Sequence, residues 1–234
     1  MKDKYVLITG GTGGLGIAVT QEALTSGAKL ITLPVRSEHS GDALKARVTS
    51  EDLSRLRFVD LPMVEERAVE TLIDQMGQID VLIHVMGGFD MGRTDQFSYQ
   101  DWQKMLDLNL NSGFIFCKHG LRRMRQTGYG RIVVVGSRAV QYPGGQFAAY
   151  GASKSGLVAL VQSIAEETKD LDTDITANAV LPSVIDTPKN RAAMGDQDAD
   201  RWVKPESLAQ VIGFLASEAA RDVRGAAVPV YGKA

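Results

Sequence analysis

Cysteine and histidine are scarce in this sequence of 234 residues: Cys117 is the only cysteine, and the three histidines are His39, His84 and His119. A single cysteine excludes an intrachain disulfide framework and a cysteine-rich metal site. The scattered histidines suggest no metal site either, so we expect no bound metal. Because Cys117 follows an apolar stretch, we expect a small buried residue rather than a nucleophile.

An excess of charge of one sign is also absent, since 26 basic residues stand against 28 acidic ones and the formal net charge is −2. This balance gives no reason to expect a nucleic acid or an anionic membrane as a partner. No apolar run reaches the length of a membrane span, and no signal peptide fits the first residues. With 44% hydrophobic residues, the composition is that of a globular protein, and we expect a cytoplasmic one.

Strand-like and helix-like patterns alternate along the whole chain. Short apolar runs typical of buried strands lie at about 5–8, 29–33, 56–59, 79–83, 132–135, 175–181 and 226–230. Helical patterns lie between them, at about 14–24, 64–76, 99–126, 149–169 and 205–217. We interpret the polar stretches 35–55 and 186–200 as loops, the first with room for one short helix.

This alternation predicts an α/β fold with one doubly wound, Rossmann-type parallel sheet of about seven strands and helices on both faces. Pro229 cannot donate a hydrogen bond within a sheet, so we expect the last strand at the sheet edge. No linker, repeat or low-complexity tract interrupts the pattern. We therefore expect residues 1–234 to form a single domain.

A glycine-rich turn, Thr9-Gly-Gly-Thr-Gly-Gly-Leu-Gly16, lies between the first strand and the first helix. Its glycines match both G-x-G-x-x-G and G-x-x-x-G-x-G. Glycines let the backbone turn tightly, and they let a pyrophosphate approach the N–H groups at the positive end of the helix. The strand–turn–helix context predicts nucleotide binding, rather than a flexible loop that binds nothing.

Tyr150 and Lys154 lie four residues apart in the helix that follows the fifth strand, so the phenol and the ammonium share one helical face. The pKa of a tyrosine is about 10, so its phenol is a poor acid–base group at neutral pH. A nearby cation stabilises the phenolate and lowers its pKa. The pair thus indicates general acid–base chemistry, although Y-x-x-x-K also arises by chance on amphipathic helices.

With two further polar residues, these motifs resemble the short-chain dehydrogenase/reductase family over nearly the whole chain. Thr9–Gly16 is similar to the family's coenzyme-binding turn, and Tyr150 with Lys154 is similar to its Y-x-x-x-K pair. Ser137 corresponds to the serine after the fifth strand, and Asn109 to the asparagine of the N-L-x-S segment. The resemblance implies an NAD(P)(H)-dependent oxidoreductase that interconverts a carbonyl and an alcohol.

The resemblance also implies a role for each of these side chains. Hydride moves between the nicotinamide and a carbonyl carbon, while Tyr150 gives or takes a proton as the general acid or base. Ser137 would orient the substrate oxygen. Lys154 would hold the nicotinamide ribose and lower the pKa of Tyr150. Asn109 would hold a water that links Lys154 to solvent.

The coenzyme is expected at the carboxyl ends of the strands, where ligands bind in such sheets. The residues implied to hold it are Gly10, Thr12, Gly13, Gly14, Leu15, Gly16, Arg36, Asp60, Leu61, Gly87, Tyr150, Lys154, Pro182, Val184, Ile185 and Thr187.

Arg36 makes NADP(H) the favoured coenzyme, with NAD(H) as the alternative. An NAD-selective site has an acid about 20 residues after the glycine turn, and Arg36 stands there instead. An arginine fork suits a 2′-phosphate, with Asp60 and Leu61 flanking the adenine. The other interpretation is a solvated loop arginine, and the nearest acid, Glu38, lies beyond the expected strand end.

Two segments depart from the common family pattern. Where the family has N-N-A-G after the fourth strand, this chain has His84-Val-Met-Gly87, and Ser183 follows Pro182 in place of a glycine. We expect His84 to be a hydrogen-bonded histidine at the strand end rather than a catalytic group. The segments 85–89 and 185–191 are similar to those of dihydropteridine reductases in the family. That subgroup typically lacks the serine present here, which 3-oxoacyl-carrier-protein reductases keep.

Three hypotheses for the function remain open. The first is a carbonyl reductase or alcohol dehydrogenase acting on a small molecule, and the second is a dihydropteridine or quinonoid reductase. The third is a non-catalytic nucleotide sensor, which would need the glycine turn but no proton donor. We expect segments 89–94, 138–146 and 184–200 to form the substrate pocket. Apolar residues beyond one face of helices 99–126 and 149–169 predict a homodimer or homotetramer.

Overall fold

The structure is a computed structural model that describes residues 1–62, 64–169 and 172–233. Its strands are β1 (Tyr5–Thr9), β2 (Leu30–Val35), β3 (Leu56–Asp60), β4 (Val81–His84), β5 (Tyr129–Val135), β6 (Asp174–Pro182) and β7 (Ala227–Val230). Its α-helices are α1 (Gly14–Thr25), α2 (Asp42–Lys45), α3 (Ser50–Ser54), α4 (Glu66–Met76), α5 (Tyr99–Leu106), α6 (Ser112–Thr127), α7 (Ala148–Glu167), α8 (Pro188–Met194) and α9 (Pro205–Leu215). Within these described residues, no helix is both long and apolar enough to cross a membrane.

The strands form one parallel sheet in the order β3-β2-β1-β4-β5-β6-β7. This confirms the predicted doubly wound, Rossmann-type sheet. The strand order reverses between β1 and β4, and such a switch point is where α/β sheets bind ligands outside the carboxyl ends. β7 lies at the edge, where Pro229 pairs in register with Leu181 and needs no N–H for a further strand.

The core is divided between the two faces of the sheet, because successive side chains of a strand point to opposite sides. Val6 and Ile8 of β1 pack in the cluster that includes apolar residues of α1 and α9. Leu7 packs in the other cluster, with α4, α6 and α7. Cys117 belongs to this second cluster, where burial raises the pKa of its thiol to about 12, so the predicted inert cysteine is confirmed.

The structure differs from the sequence-based prediction in three segments. Residues 186–200 were expected to be a loop, but they contain α8, which begins at Pro188. The hydroxyl of Thr187 caps this helix by accepting the Asn190 N–H. Residues 35–55 contain two short helices, α2 and α3. The long helix expected over 99–126 consists of α5 and α6 joined by a π-turn at Asp107–Asn111. A helix as short as α8, and a π-turn that interrupts a longer helix, leave little hydrophobic periodicity to detect in a sequence.

Candidate active site

The carboxyl ends of the strands bring the predicted site segments to one edge of the sheet. The glycine turn follows β1, Leu61 follows β3, Gly87 lies beyond β4, Ser137 lies beyond β5, and segment 183–187 follows β6. Because all seven strands are parallel, these segments meet on the same side of the sheet. Residues separated by more than 100 positions in the chain therefore become neighbours.

The glycine turn is packed so closely that side chains would not fit in it. Gly10 has φ +69°, and a Cβ there would lie 2.8 Å from the backbone nitrogen of Met86. A Cβ at Gly16 would overlap the carbonyl oxygen of Gly10. α1 begins next to this turn, and among the described residues no side chain caps it and no acid lies in its first turn. Its N–H groups and positive dipole thus fit the pyrophosphate of a dinucleotide.

Segment 184–187 lies against the glycine turn. A Cβ on Gly14 would lie 2.9 Å from Cγ2 of Thr187. The segment is fixed by Val203, whose N–H donates to the Val184 carbonyl at 2.9 Å and whose carbonyl accepts the Asp186 N–H at 2.8 Å. The turn and this segment thus form two walls of one cleft.

Of the remaining coenzyme residues, Thr12 is half-buried, Leu15 packs in the core, and Pro182 ends β6.

Asn109 and Lys154 meet beside Gly87. A Cβ on Gly87 would lie 2.6 Å from Oδ1 of Asn109 and 3.0 Å from Nζ of Lys154, so a side chain at this position would displace these two groups. Asn109 lies in the π-turn between α5 and α6, and such turns are frequent at functional sites. Its Oδ1 accepts the Gly88 N–H at 2.9 Å and its Nδ2 donates to the Gly88 carbonyl at 3.0 Å. The amide thereby fixes the loop that follows β4.

Ser137 and Tyr150 form the other half of the site. The Ser137 hydroxyl accepts the Ala139 N–H at 3.1 Å, which orients the side chain. Tyr150 packs edge-on against Phe89 and Phe147, with ring centroids 5.0 and 6.4 Å away. Burial raises the pKa of Tyr150, and the Ser137 hydroxyl lowers it in part. At neutral pH the phenol therefore carries its proton.

The expectation that Lys154 lowers the pKa of Tyr150 stays a prediction, because burial is the largest effect on this pKa and the Ser137 hydroxyl is the group that lowers it in part. Nζ of Lys154 donates to the Val135 carbonyl at 2.8 Å, and burial lowers the pKa of this ammonium to about 8. The phenol is enclosed by aromatic rings, and burial dominates its titration. A main-chain acceptor such as the Val135 carbonyl has no signature in the sequence, and neither does the packing of Phe147 on Tyr150.

His84 is fully buried and hydrogen-bonded, as predicted. Its Nδ1 lies 2.8 Å from Oγ1 of Thr9, and its Nε2 lies 3.4 Å from Oγ of Ser112. Burial, with a smaller effect of the nearby Lys154 charge, lowers the pKa of His84 to about 3. The imidazole is therefore neutral, and it joins β1 and β4 to the start of α6.

Arg36 is the first residue after β2 and is exposed. Asp60 pairs in register with Val35 at the end of β3, and the Leu61 N–H donates to the Val35 carbonyl at 3.0 Å. These residues lie at the carboxyl ends of β2 and β3, on the edge that carries the glycine turn. Arg36 is thus placed toward the end of the cleft away from Tyr150, whereas the side chain of Glu38 lies outside what the structure describes.

This geometry is that of a Rossmann-type α/β protein with a tyrosine and a lysine at the carboxyl edge of its sheet, and comparisons with known proteins agree on the fold. The profile of the family described as short chain dehydrogenase matches residues 4–198. The chain therefore belongs to this family, and the prediction of an NAD(P)-dependent oxidoreductase is confirmed.

Several relatives cover almost the whole chain. The 3-oxoacyl-(acyl-carrier-protein) reductase MabA of Mycobacterium tuberculosis is 30% identical over 98% of this chain and 92% of its own. The corresponding reductase FabG of Escherichia coli is 28% identical over 98% and 96%. The crystal structure of levodione reductase has a TM-score of 0.89 at 27% identity and covers 99% of this chain and 97% of its own.

Replacing Lys154 by Met is expected to stabilise the protein at pH 7. A buried ammonium whose pKa falls from 10.5 to about 8 costs about 3 kcal/mol of folding free energy, and the lost donor to Val135 offsets part of the gain. The cost is complete below pH 8 and disappears as the pH rises to 10.5, because the unfolded chain then binds more protons. Urea unfolding of both proteins at pH 7 and pH 10 should show a gain of about 1–3 kcal/mol that shrinks at the higher pH. A less stable variant, or a pH-independent difference, would contradict this assignment.

Proposed function

We propose that this protein interconverts a small carbonyl compound and the corresponding alcohol with a nicotinamide coenzyme, using Tyr150 as the general acid or base. The observation that carries this proposal is the meeting of Ser137, Tyr150, Lys154 and Asn109 at the strand ends beside the glycine turn. We further propose that all 234 residues form one domain around this site. The predicted cytoplasmic location stays a prediction.

The coenzyme would supply or accept the hydride, and the residues of this chain would handle the proton. In the reducing direction, Tyr150 donates its phenolic proton to the oxygen that develops negative charge. Ser137, whose hydroxyl lowers the pKa of Tyr150 in part, would hold that oxygen in place. The raised pKa of Tyr150 keeps the proton on the phenol until the substrate oxygen becomes basic enough to take it.

Lys154 and Asn109 act behind Tyr150 in this proposal. Lys154 would hold the ribose of the coenzyme, and its ammonium, with a pKa of about 8, would return a proton toward the phenolate. Both groups of the Asn109 amide are used by Gly88. We therefore propose Asn109 as a positioning residue for the loop after β4 and for the nearby ammonium, and a water relay would use its backbone rather than its side chain.

A substrate with apolar character fits the surroundings of the cleft. Phe89, Met91, Tyr142 and Met194 are large apolar side chains that stay at least 48% exposed on the segments predicted to form the pocket. Among the relatives, FabG is named as a 3-oxoacyl-(acyl-carrier-protein) reductase, and two others are named as dehydrogenases of D-threitol and of D-beta-hydroxybutyrate. A panel of acetoacetyl thioesters, diketones, quinones and sugars, each with NADPH and NADH, would identify the class that is reduced.

A dihydropteridine or quinonoid reductase is the second candidate, and Phe89 favours it. Its ring is 54% exposed and stands edge-on to Tyr150, so a planar ring could stack beside the proton donor. Adding quinonoid dihydropterin to the panel separates the two candidates. Absence of turnover with every compound, together with tight coenzyme binding, would instead support the nucleotide sensor.

Replacing Tyr150 by Phe should lower kcat on the order of 10²–10⁴-fold, because the proton donor is lost. The affinity for the coenzyme, measured by fluorescence titration, should stay near that of the wild type. Tyr99, 74% exposed on α5, provides the matched control, and Tyr99→Phe should leave turnover unchanged. Near-normal turnover by Tyr150→Phe would mean that another group supplies the proton.

We propose that NADP(H) is preferred through Arg36, the exposed cation at the end of β2. Replacing Arg36 by Ala should raise the KM for NADPH about ten-fold, since a charge-assisted pair with the 2′-phosphate is lost, and should leave the KM for NADH unchanged. Arg67→Ala, at an exposed position of α4, is the control. Equal use of both coenzymes by the wild type, unmoved by Arg36→Ala, would refute the assignment.

We propose that the protein is a homodimer or homotetramer joined through α6. Several apolar residues that suggested this, such as Phe116 and Leu157, are buried within the chain itself, but Phe114 stays 48% exposed on α6. Sedimentation at micromolar concentration should show the oligomer. Phe114→Glu should shift it toward the monomer, whereas Phe214→Glu, at an equally exposed site on α9, should not. A monomeric wild type would exclude the proposal.

A further inference from the structure

A cationic side chain stands next to the catalytic serine. Arg138 directly follows Ser137 beyond the end of β5, and it opens a short 3₁₀ turn, Arg138–Val140. The Ser137 hydroxyl accepts the Ala139 N–H within this turn. The guanidinium and the hydroxyl that orients the substrate are therefore fixed to the same short piece of backbone.

Two tyrosine rings flank the guanidinium. Its central carbon lies 5.2 Å from the ring centroid of Tyr142 and 5.4 Å from that of Tyr231. The two rings stand nearly perpendicular to each other, with centroids 6.3 Å apart. Aromatic faces stabilise a cation without satisfying its N–H donors as strong acceptors would. The rings thus hold the guanidinium in place and leave its hydrogen-bonding capacity unused.

Residues that follow three neighbouring strands build this aromatic cage. The Tyr231 hydroxyl, beyond β7, donates to Oε1 of Gln141 at 2.6 Å. The Ser183 hydroxyl, beyond β6, donates to the Tyr231 carbonyl at 2.7 Å. The cage therefore lies at the carboxyl edge of the sheet, on the same edge as Tyr150. Arg138, Gln141 and Tyr142 belong to segment 138–146, which is predicted to form part of the pocket, and Tyr231 follows β7.

Arg138 has no anionic partner among the residues that the structure describes. No carboxylate lies within 4.0 Å of its nitrogens there, and its buried Nε has no hydrogen-bond acceptor. By contrast, Arg131 pairs with Asp174 at 2.9 Å, and Arg191 pairs with Asp186. Nε is itself buried, so a ligand that brings its own acceptor would meet the terminal nitrogens of this half-buried side chain, which make no hydrogen bond with the described residues.

We propose that Arg138 is a specificity-determining residue that binds the carboxylate of an oxo acid, or of the matching hydroxy acid, while Ser137 and Tyr150 bind its carbonyl or alcohol oxygen. This inference rests on the proposed carbonyl–alcohol function. One guanidinium neutralises one negative charge, and its planar fork matches a carboxylate with two parallel hydrogen bonds. The exposed apolar side chains Phe89 and Met91 would contact the carbon skeleton between the two polar ends.

Matched acid and amide pairs test this inference. The probes are 5-oxohexanoate and 4-acetylbenzoate, each beside its primary amide, which keeps the shape and removes the charge. Coenzyme oxidation is followed for wild type, Arg138→Met and Arg138→Lys. Arg221→Met is the control, because Arg221 is exposed beyond α9 and away from the strand ends that carry the site.

The wild type should reduce the acids at least about ten-fold better in kcat/KM than the amides. Arg138→Met should lower kcat/KM for the acids about 10–100-fold, mainly through KM, and leave the amides within about two-fold. Arg138→Lys should retain part of the preference, and Arg221→Met all of it. Equal losses for acids and amides in Arg138→Met, or no preference in the wild type, would overturn the inference.

Binding provides a second readout that does not need turnover. Calorimetry with the NADP⁺-loaded protein should show 4-acetylbenzoate binding at least about ten-fold more tightly than its amide, and Arg138→Met should abolish the difference. Selective binding without reduction of any probe would contradict the proposed function but support the role of Arg138. Reduction of acids and amides alike, with equal affinities, would refute Arg138 alone.

Discussion

The close approach of the glycine turn to the end of β4 is the constraint on which the site depends. Gly10 leaves no space for a Cβ beside the backbone of Met86, and Gly16 leaves none beside the Gly10 carbonyl. This contact lets α1 begin directly at the switch point of the sheet, with its N–H groups pointing into the cleft. A side chain at either position would separate the helix from the strand ends, and the walls of the cleft would no longer face each other.

Buried polar residues form a second layer that keeps the strand ends in register with the helices behind them. Neutral His84 joins Thr9 of β1 to Ser112 of α6, and Asn109 fixes Gly88 from the π-turn. Each of these groups is hydrogen-bonded, which offsets the cost of burying it. Lys154 is the exception, since its charge is buried against one carbonyl and its pKa falls to about 8. The free-energy cost of burying a charge thus falls on the residue that we propose to hold the coenzyme.

The sequence allowed the sheet, its parallel order and the edge position of β7 to be predicted, because apolar runs and Pro229 act locally. Spacing indicated part of the site, since Tyr150 and Lys154 share a helical face and the glycines match a fingerprint, whereas Ser137 and Asn109 were named only through the family resemblance. Residue spacing could not show which atoms these side chains contact or what shifts their pKa values. That Lys154 donates to a backbone carbonyl, and that burial rather than charge controls Tyr150, depends on three-dimensional packing. Short helices such as α8 depend on single capping residues, which give a weak signal.

Different segments at the carboxyl edge of the sheet are expected to bind the coenzyme and the substrate, which explains why the reaction is easier to infer from the sequence than the substrate. The turn after β1 and the residues on α7 must meet fixed distances to one coenzyme, so their identities are tightly constrained. The segments after β5 and β7 pack through contacts of their own, as the pair of Tyr231 and Gln141 shows, whereas segment 184–187 also lies against the glycine turn. The contact between Tyr231 and Gln141 does not involve the glycine turn, so these two residues can change without disturbing it. Selectivity in this protein therefore resides in side chains such as Arg138 and Phe89, which lie one short turn away from the groups that perform the reaction.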